Sequence, residues 1–380
     1  MRVSCFREKM VHRGTGLSVS QPDRECMAGE WRRPHNDLQQ QNVGGGHKAI
    51  HDDETAARIG FGAAPIHGTV HWSQFTPLLL EAFGPAWFET GSISVHFKTP
   101  VSHQQPVRAF AALPDGFAGS GGGGSGRGVV ATRQQIDIWM EHLDGRVVLV
   151  GTASAGLKPG EMVTMASGRI AACRPVAGEL LFVRHPIGTR SVNVEPARIG
   201  FGGRGIGPLF PFTLEEKLAC ITEYHPWFDK QQGQGAHASP WGRPVLPPEC
   251  LNAVMLSLAG TNVPTAWPER PQDAWLDEAM GGDTPVGLFG GCEVLMHNGP
   301  VFAGEQYECT KELVAKGETP KTEFEWIRTV LREPAAGSGG GRIIAEMTLQ
   351  SMKLKGSFDG YEALRTKSDA KAGAATKSKL

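Results

Sequence analysis

One apolar helix followed by four strand-like stretches, and then the same order again, is the pattern that most limits what this chain can fold into. The first helix is expected over 69–83, carrying Val70, Trp72, Phe75, Leu78, Leu79, Leu80, Ala82 and Phe83. Apolar residues nearly all round predict a buried helix, and Pro77 inside it is a candidate kink. Strand-like stretches follow at 91–99, 107–113, 129–141 and 147–157. Asp144-Gly145 joins the last two as a hairpin signal. The second copy has a helix over 247–258 and strands over 286–296, 302–314, 322–332 and 343–354. A sheet with a helix on one face leaves the other face uncovered and needs a partner. Two fused copies supply that partner within one chain.

The 380 residues divide on this reading into a disordered leader (1–30), a first α+β domain (31–160), a connecting segment (161–212), a second α+β domain (213–358) and a disordered tail (359–380). Within the connection, 180–184 and 190–194 read as strands. An amphipathic helix is expected just beyond it, over 214–224. The counterpart of Pro65–His71 in the second copy is placed at 239–244, Ser-Pro-Trp-Gly-Arg-Pro. Gly200-x-Gly202-x-x-Gly205 matches a dinucleotide fingerprint as a string. Pro208 and Pro211 follow it, and no second strand ends in an acidic residue, so it reads as a loop.

A formal net charge of −1 gives no reason to expect nucleic acid or an anionic membrane surface as partner. No apolar run is long enough to span a bilayer, and 1–30 lacks the apolar core of a secretory signal. Seven cysteines without a C-x-x-C pair suggest reduced thiols rather than disulfides or a metal site. Ser378-Lys379-Leu380 at the terminus is a receptor-read peroxisomal address. The expected location is therefore the peroxisome, with its import receptor as partner. The competing reading is an ordinary tail.

Residues 47–83 concentrate the chemistry. A polar loop with His51, Asp52 and Asp53 leads into a helical turn, then Gly60, Phe61, Gly62 and Pro65 break it. Pro65-Ile66-His67-Gly68 delivers the backbone to a helix with Thr69 as the expected N-cap. His51-Asp52-Asp53, then Gly60-Phe61, then Pro65-Ile66-His67-Gly68 resemble the hotdog-fold thioester enzymes of the MaoC and (R)-specific enoyl-CoA hydratase type. Their signature is a D-x-N-P-x-H loop followed by an H-x-D…A…G-F…P-I-x-H-G run entering a central helix. Upstream the chain departs from it. Gly46 stands where the family's catalytic Asp would be, and Lys48-Ala49 replace Asn-Pro.

The resemblance implies a double hotdog, two antiparallel sheets each wrapped round a central helix as an intramolecular pseudo-dimer. It also implies a hydro-lyase interconverting 3-hydroxyacyl and 2-enoyl thioesters. Hydration needs one group to deprotonate water and another to protonate the α-carbon. A His with a pKa near working pH suits one task and a carboxylate the other. His51 is the candidate base, with Asp52 or Asp53 as its carboxylate partner. Both Asp residues also suit helix caps, with His51 a plain loop residue. His47 and Asp37 are alternative partners. The Gly68 N–H at a helix N-terminus is the candidate oxyanion donor, against a simple turn glycine. His67, Trp72, Trp241 and Arg243 are candidates for substrate binding, against ordinary packing and turn roles. No metal or cofactor is expected beyond the substrate's own CoA or pantetheine carrier, and homo-oligomers stay open. Hotdog proteins also include thioesterases and non-catalytic acyl-thioester binders, which remain alternatives.

Overall fold

The first buried helix forms where its apolar residues predict it. The structure, a computed structural model, describes residues 8–9, 25–38, 50–115, 133–174, 179–182, 185–203, 212–230, 238–256, 268, 285–335 and 340–377. A short helix, Asp53–Arg58 (α1), precedes Val70–Phe83 (α2). Trp72, Phe75, Leu78, Leu79, Ala82 and Phe83 on α2 have no exposed surface. Thr69 does not cap it. Its backbone is already helical, and its hydroxyl lies 2.7 Å from His67 Nδ1. After α2 come Ala86–Thr90 (α3), Met165–Ala171 (α4), Leu214–Cys220 (α5), Pro248–Leu256 (α6) and Tyr361–Lys377 (α7). No helix among the described residues is long and apolar enough to cross a membrane.

Eleven described strands make one antiparallel sheet. They are Glu8–Lys9 (β1), Glu25–Ala28 (β2), Ser92–Phe97 (β3), Val107–Ala112 (β4), Gln134–His142 (β5), Val147–Ala155 (β6), Glu195–Ala197 (β7), Gly287–Met296 (β8), Tyr307–Glu318 (β9), Thr322–Arg332 (β10) and Ile343–Leu354 (β11). Their spatial order is β1-β2-β4-β5-β6-β3-β8-β11-β10-β9-β7. The block β4-β5-β6-β3 of the first half is mirrored by β9-β10-β11-β8 of the second. The halves therefore relate by a pseudo-twofold between β3 and β8. There Ser92 faces Leu295 and His96 faces Gly291. The two sheets expected from the sequence are continuous, because pairing β3 with β8 satisfies backbone edges that would otherwise be open.

The fold is a double hotdog. α2 packs on β4 and β6, α6 packs on β10, and the two helices pack on each other. One apolar core runs through both halves, from Trp72 and Phe75 to Val254 and Met347. The repeat register differs from the expected one. Ile66 N–H donates to Val101 O at 2.8 Å, and Leu246 N–H donates to Val301 O at 2.9 Å. Pro65 bridges Ser102 as Val245 bridges Phe302. Residues 65–69 thus match 245–249, not 239–244. Pro247 stands where the first half has His67, and Glu249 where it has Thr69.

Both expected disordered ends carry structure. Residues 26–28 of the expected leader pair with β4. The expected tail holds α7, whose Tyr361 and Leu364 bury against Leu180, Leu181, Phe182 and Phe358. The Glu323 carboxylate anchors this contact. It accepts from the Leu180 and Leu181 N–H groups, the Tyr361 hydroxyl and Arg365, at 2.8–3.2 Å. Residues 180–182 are not a strand but part of that anchor. In the connection, Arg190 makes one isolated bridge and the strand comes later, at β7. The glycine string at 200–203 is a loop against Gly304, whose N–H donates to Ile199 O at 2.7 Å.

Candidate active site

The loop before α1 fixes His51 from two sides. The Asn36 amide donates to the His51 carbonyl at 3.2 Å. His51 Nδ1 lies 2.7 Å from the Pro65 carbonyl oxygen. A carbonyl only accepts, so Nδ1 carries the proton and Nε2 of the neutral ring keeps its lone pair. Burial lowers the His51 pKa and favours that neutral ring, opposed by the bond to Pro65.

The neighbouring carboxylates are spent on backbone. Asp52 caps α1, accepting from Thr55 N–H at 2.9 Å, and that bond holds its pKa below the usual carboxylate range. Asp53 Oδ1 accepts from Ala64 N–H at 2.9 Å, pinning the Gly-rich passage to the start of α1. The structure thus gives both expected partners of His51 local structural duties. Gly68 is packed too. A Cβ there would lie 2.7 Å from the Phe97 ring, so a side chain would displace Phe97 before it met a ligand. Trp72 lies wholly in the core. Trp241 donates to Glu89 at 2.8 Å and packs edge-on against Phe88 and Trp227. Arg243 pairs with Glu305 and lies 3.7 Å over the Phe302 ring. Trp241 thus ties its turn to α3 of the first half, while Arg243 packs within the second. His47 lies outside the described residues.

His67 keeps its place beside His51. Their rings stand 5.8 Å apart, edge to face. The other side of His67 meets Phe289 of β8, 5.3 Å away. Its Nε2 is covered and has no hydrogen-bond partner. Burial, then the neighbouring His51 and Lys217, hold its pKa well below the ordinary value.

The His67 ring lines a cleft between the halves, together with Asp37, Leu38, Val70, Phe212, Lys217, Glu249 and Ala253. Its free volume of about 20 Å³ is room for one water. Three charges meet there. Lys217 on α5 pairs with Asp37 and lies 2.6 Å from Glu249 Oε1 at the start of α6. The side chains of Lys217, Asp37 and Glu249 are 6%, 10% and 1% exposed. The Glu249 contact is close but badly angled, and neither of its oxygens has a well-directed hydrogen bond. Burial pushes the Glu249 carboxyl up, with Lys217 and Ser73 opposing. Burial would lower Lys217, but the Glu249 and Asp37 carboxylates outweigh it and raise the ammonium above its usual value.

Lys217 and Glu249 are the residues that sequence reading missed. The signal lay in spacing. Leu214, Lys217, Leu218 and Ile221 fall at i, i+3, i+4 and i+7, which puts a lysine on the apolar stripe of its helix. A capping box of Thr213 and Glu216 sets where that helix starts.

No protein-family model matches the chain, and no curated protein does. Similar solved structures include Rv0216 of Mycobacterium tuberculosis, described as a double-hotdog protein, at 12% identity. That match covers 86% of this chain and 94% of that one, with a TM-score of 0.46. A protein of Chloroflexus aurantiacus assigned as a MaoC domain dehydratase is 12% identical over 87% of this chain and 95% of that one, TM-score 0.48. The dehydratase domain of PpsC from Mycobacterium tuberculosis, solved with C12:1-CoA, is 10% identical over 88% and 96%, TM-score 0.37. The assignment of the fold itself rests on the strand order and the pseudo-twofold.

Proposed function

We propose that the protein is a hydro-lyase interconverting 3-hydroxyacyl and 2-enoyl thioesters carried on CoA or a related pantetheine. The observation that carries this reading is His51, whose Nδ1 is committed to the Pro65 carbonyl so that Nε2 is the base. In the hydration direction Nε2 takes a proton from water as the water oxygen adds to the β-carbon. The Gly68 N–H at the start of α2 polarises the thioester carbonyl. No cofactor beyond the substrate's carrier enters this chemistry. The PpsC domain, a solved neighbour in fold, holds an acyl-CoA.

A second reading has one observation in its favour. Asp37 is already engaged by Lys217, which suits a domain that binds acyl thioesters without reacting them. Incubating purified protein with a panel of enoyl and hydroxyacyl thioesters separates the readings. Mass changes of one water are expected. Release of free thiol would replace the hydro-lyase by a thioesterase, and an unchanged panel would leave the binder.

The same proposal places the protein in peroxisomes. α7 runs to Lys377, so Ser378-Lys379-Leu380 follows directly on it; the tripeptide lies outside the described residues. A fluorescent fusion with the native C-terminus should form peroxisomal puncta, and deleting Leu380 should leave it diffuse. Puncta that survive the deletion would exclude this address.

A further inference from the structure

Among the described residues near His51, Asp52 and Asp53 accept from backbone and Asp37 pairs with Lys217. The second half supplies a carboxyl group to the cleft that His67, the ring neighbour of His51, lines. Two carboxyl groups and one ammonium meet there with little solvent. One ammonium balances one carboxylate, and a second buried, unbalanced carboxylate is costly. The cluster therefore keeps one proton on a carboxyl group at neutral pH. Glu249 is the more deeply buried of the two, and its bond to Lys217 is the worse directed. The groups facing it are Asp37 from the loop, Lys217 and Cys220 from α5, Ser73 from α2, Cys250 on its own helix and His67 across the cleft. Of these only Lys217 is a cation at neutral pH, and Asp37 already shares it.

We propose that Glu249 of the second half is the proton donor of the first half's site, so that the catalytic centre is composite across the pseudo-twofold. This rests on the hydro-lyase reading above. In hydration the water oxygen bonds to C3 of the enoyl thioester, and a water proton passes to His51 Nε2. The C2=C3 electron pair takes a proton onto C2 through the one water the cleft has room for, and Glu249 replaces that water's proton. His51 then gives its proton to solvent and the Glu249 carboxylate takes one back from solvent, so the protons balance. One water is added and the site is restored.

The test is Glu249→Gln, which keeps the size and the contact to Lys217 and removes the proton. Two readings are taken at pH 7 on the full chain. Infrared difference spectroscopy should show a protonated-carboxyl C=O band in the wild type that shifts when the glutamates, and not the aspartates, are carbon-13 labelled, and that Glu249→Gln loses. Turnover of an enoyl thioester by Glu249→Gln should fall about 100-fold or more, the weight of a positioned acid, with KM within a few-fold. Full turnover in Glu249→Gln, or a wild type without the band, overturns the role of Glu249 alone. A wild type that shows the band but adds water to no thioester in the panel overturns the hydro-lyase reading and this role with it.

Discussion

His51→Asn should give a folded protein that still binds acyl thioester but turns it over about 10²–10⁴-fold more slowly, the usual weight of a positioned acid–base group. Asn is the sharper choice than Ala because its amide nitrogen stands about where Nδ1 of the ring stands. It continues to donate to the Pro65 carbonyl that His51 holds at 2.7 Å, while the basic Nε2 is gone. His51→Ala should lose the same activity but also leave that carbonyl unpaired, at a cost of about 1 kcal/mol. Comparing the two separates the base from the loop anchor. The acid limb of the wild-type rate carries the same assignment. The working form is the neutral ring, and burial lowers its pKa. The neutral fraction therefore persists to lower pH, and the limb should lie below the ordinary His value of about 6.5. Turnover on the thioester panel and thermal melting for the three proteins decide the matter. A fully active His51→Asn with an unchanged melting curve would move the base elsewhere.

What could be read from residues alone follows the range of the forces involved. α2 is announced by its own apolar residues, and β10 and β11 by local alternation and turn signals, so these were legible before any contact was known. The order of helix and four strands, repeated, implied the pseudo-dimer. The joining of β3 to β8 was not legible, because residues 92–96 meet 291–295 through backbone groups that every strand possesses. α7 was misread for a different reason. Its polar composition suggested disorder, yet its many Ala and Lys residues favour helix. Tyr361 and Leu364, spaced i, i+3, give it a face to dock. In the site, the motif led to His51 and His67. It did not lead to Lys217 and Glu249, which lie 150 or more residues away in sequence and belong to no motif. The two Asp residues beside His51 carried a local signal of both kinds, catalytic and capping, and the cap won because Thr55 N–H lies within reach of Asp52.

Lys217→Met should be the most destabilising single change at the site, costing about 3–5 kcal/mol near neutral pH. Methionine matches the length of the lysine stem but leaves the Asp37 and Glu249 carboxyls buried without their cation. The loss should depend on pH with a definite sign. Burial already raises the Glu249 pKa in the wild type, and removing the ammonium raises it further. A carboxyl whose folded pKa exceeds its unfolded one contributes full stability below the unfolded value, about 4.3. It loses that stability as pH rises through the folded value. Lys217 itself has a raised pKa in the fold, so its contribution in the wild type is present throughout the neutral range and disappears only at strongly alkaline pH. The variant should therefore be nearest to wild type at about pH 5 and furthest from it at about pH 8. Denaturant titrations at the two pH values measure the difference. Adding Glu249→Gln to Lys217→Met should recover part of the loss at pH 8 and little at pH 5, since the amide removes the charge that rising pH uncovers. A deficit equal at both pH values, or no recovery in the double variant, would mean that Lys217 acts through packing of its stem. The three charges would then not behave as one electrostatic unit.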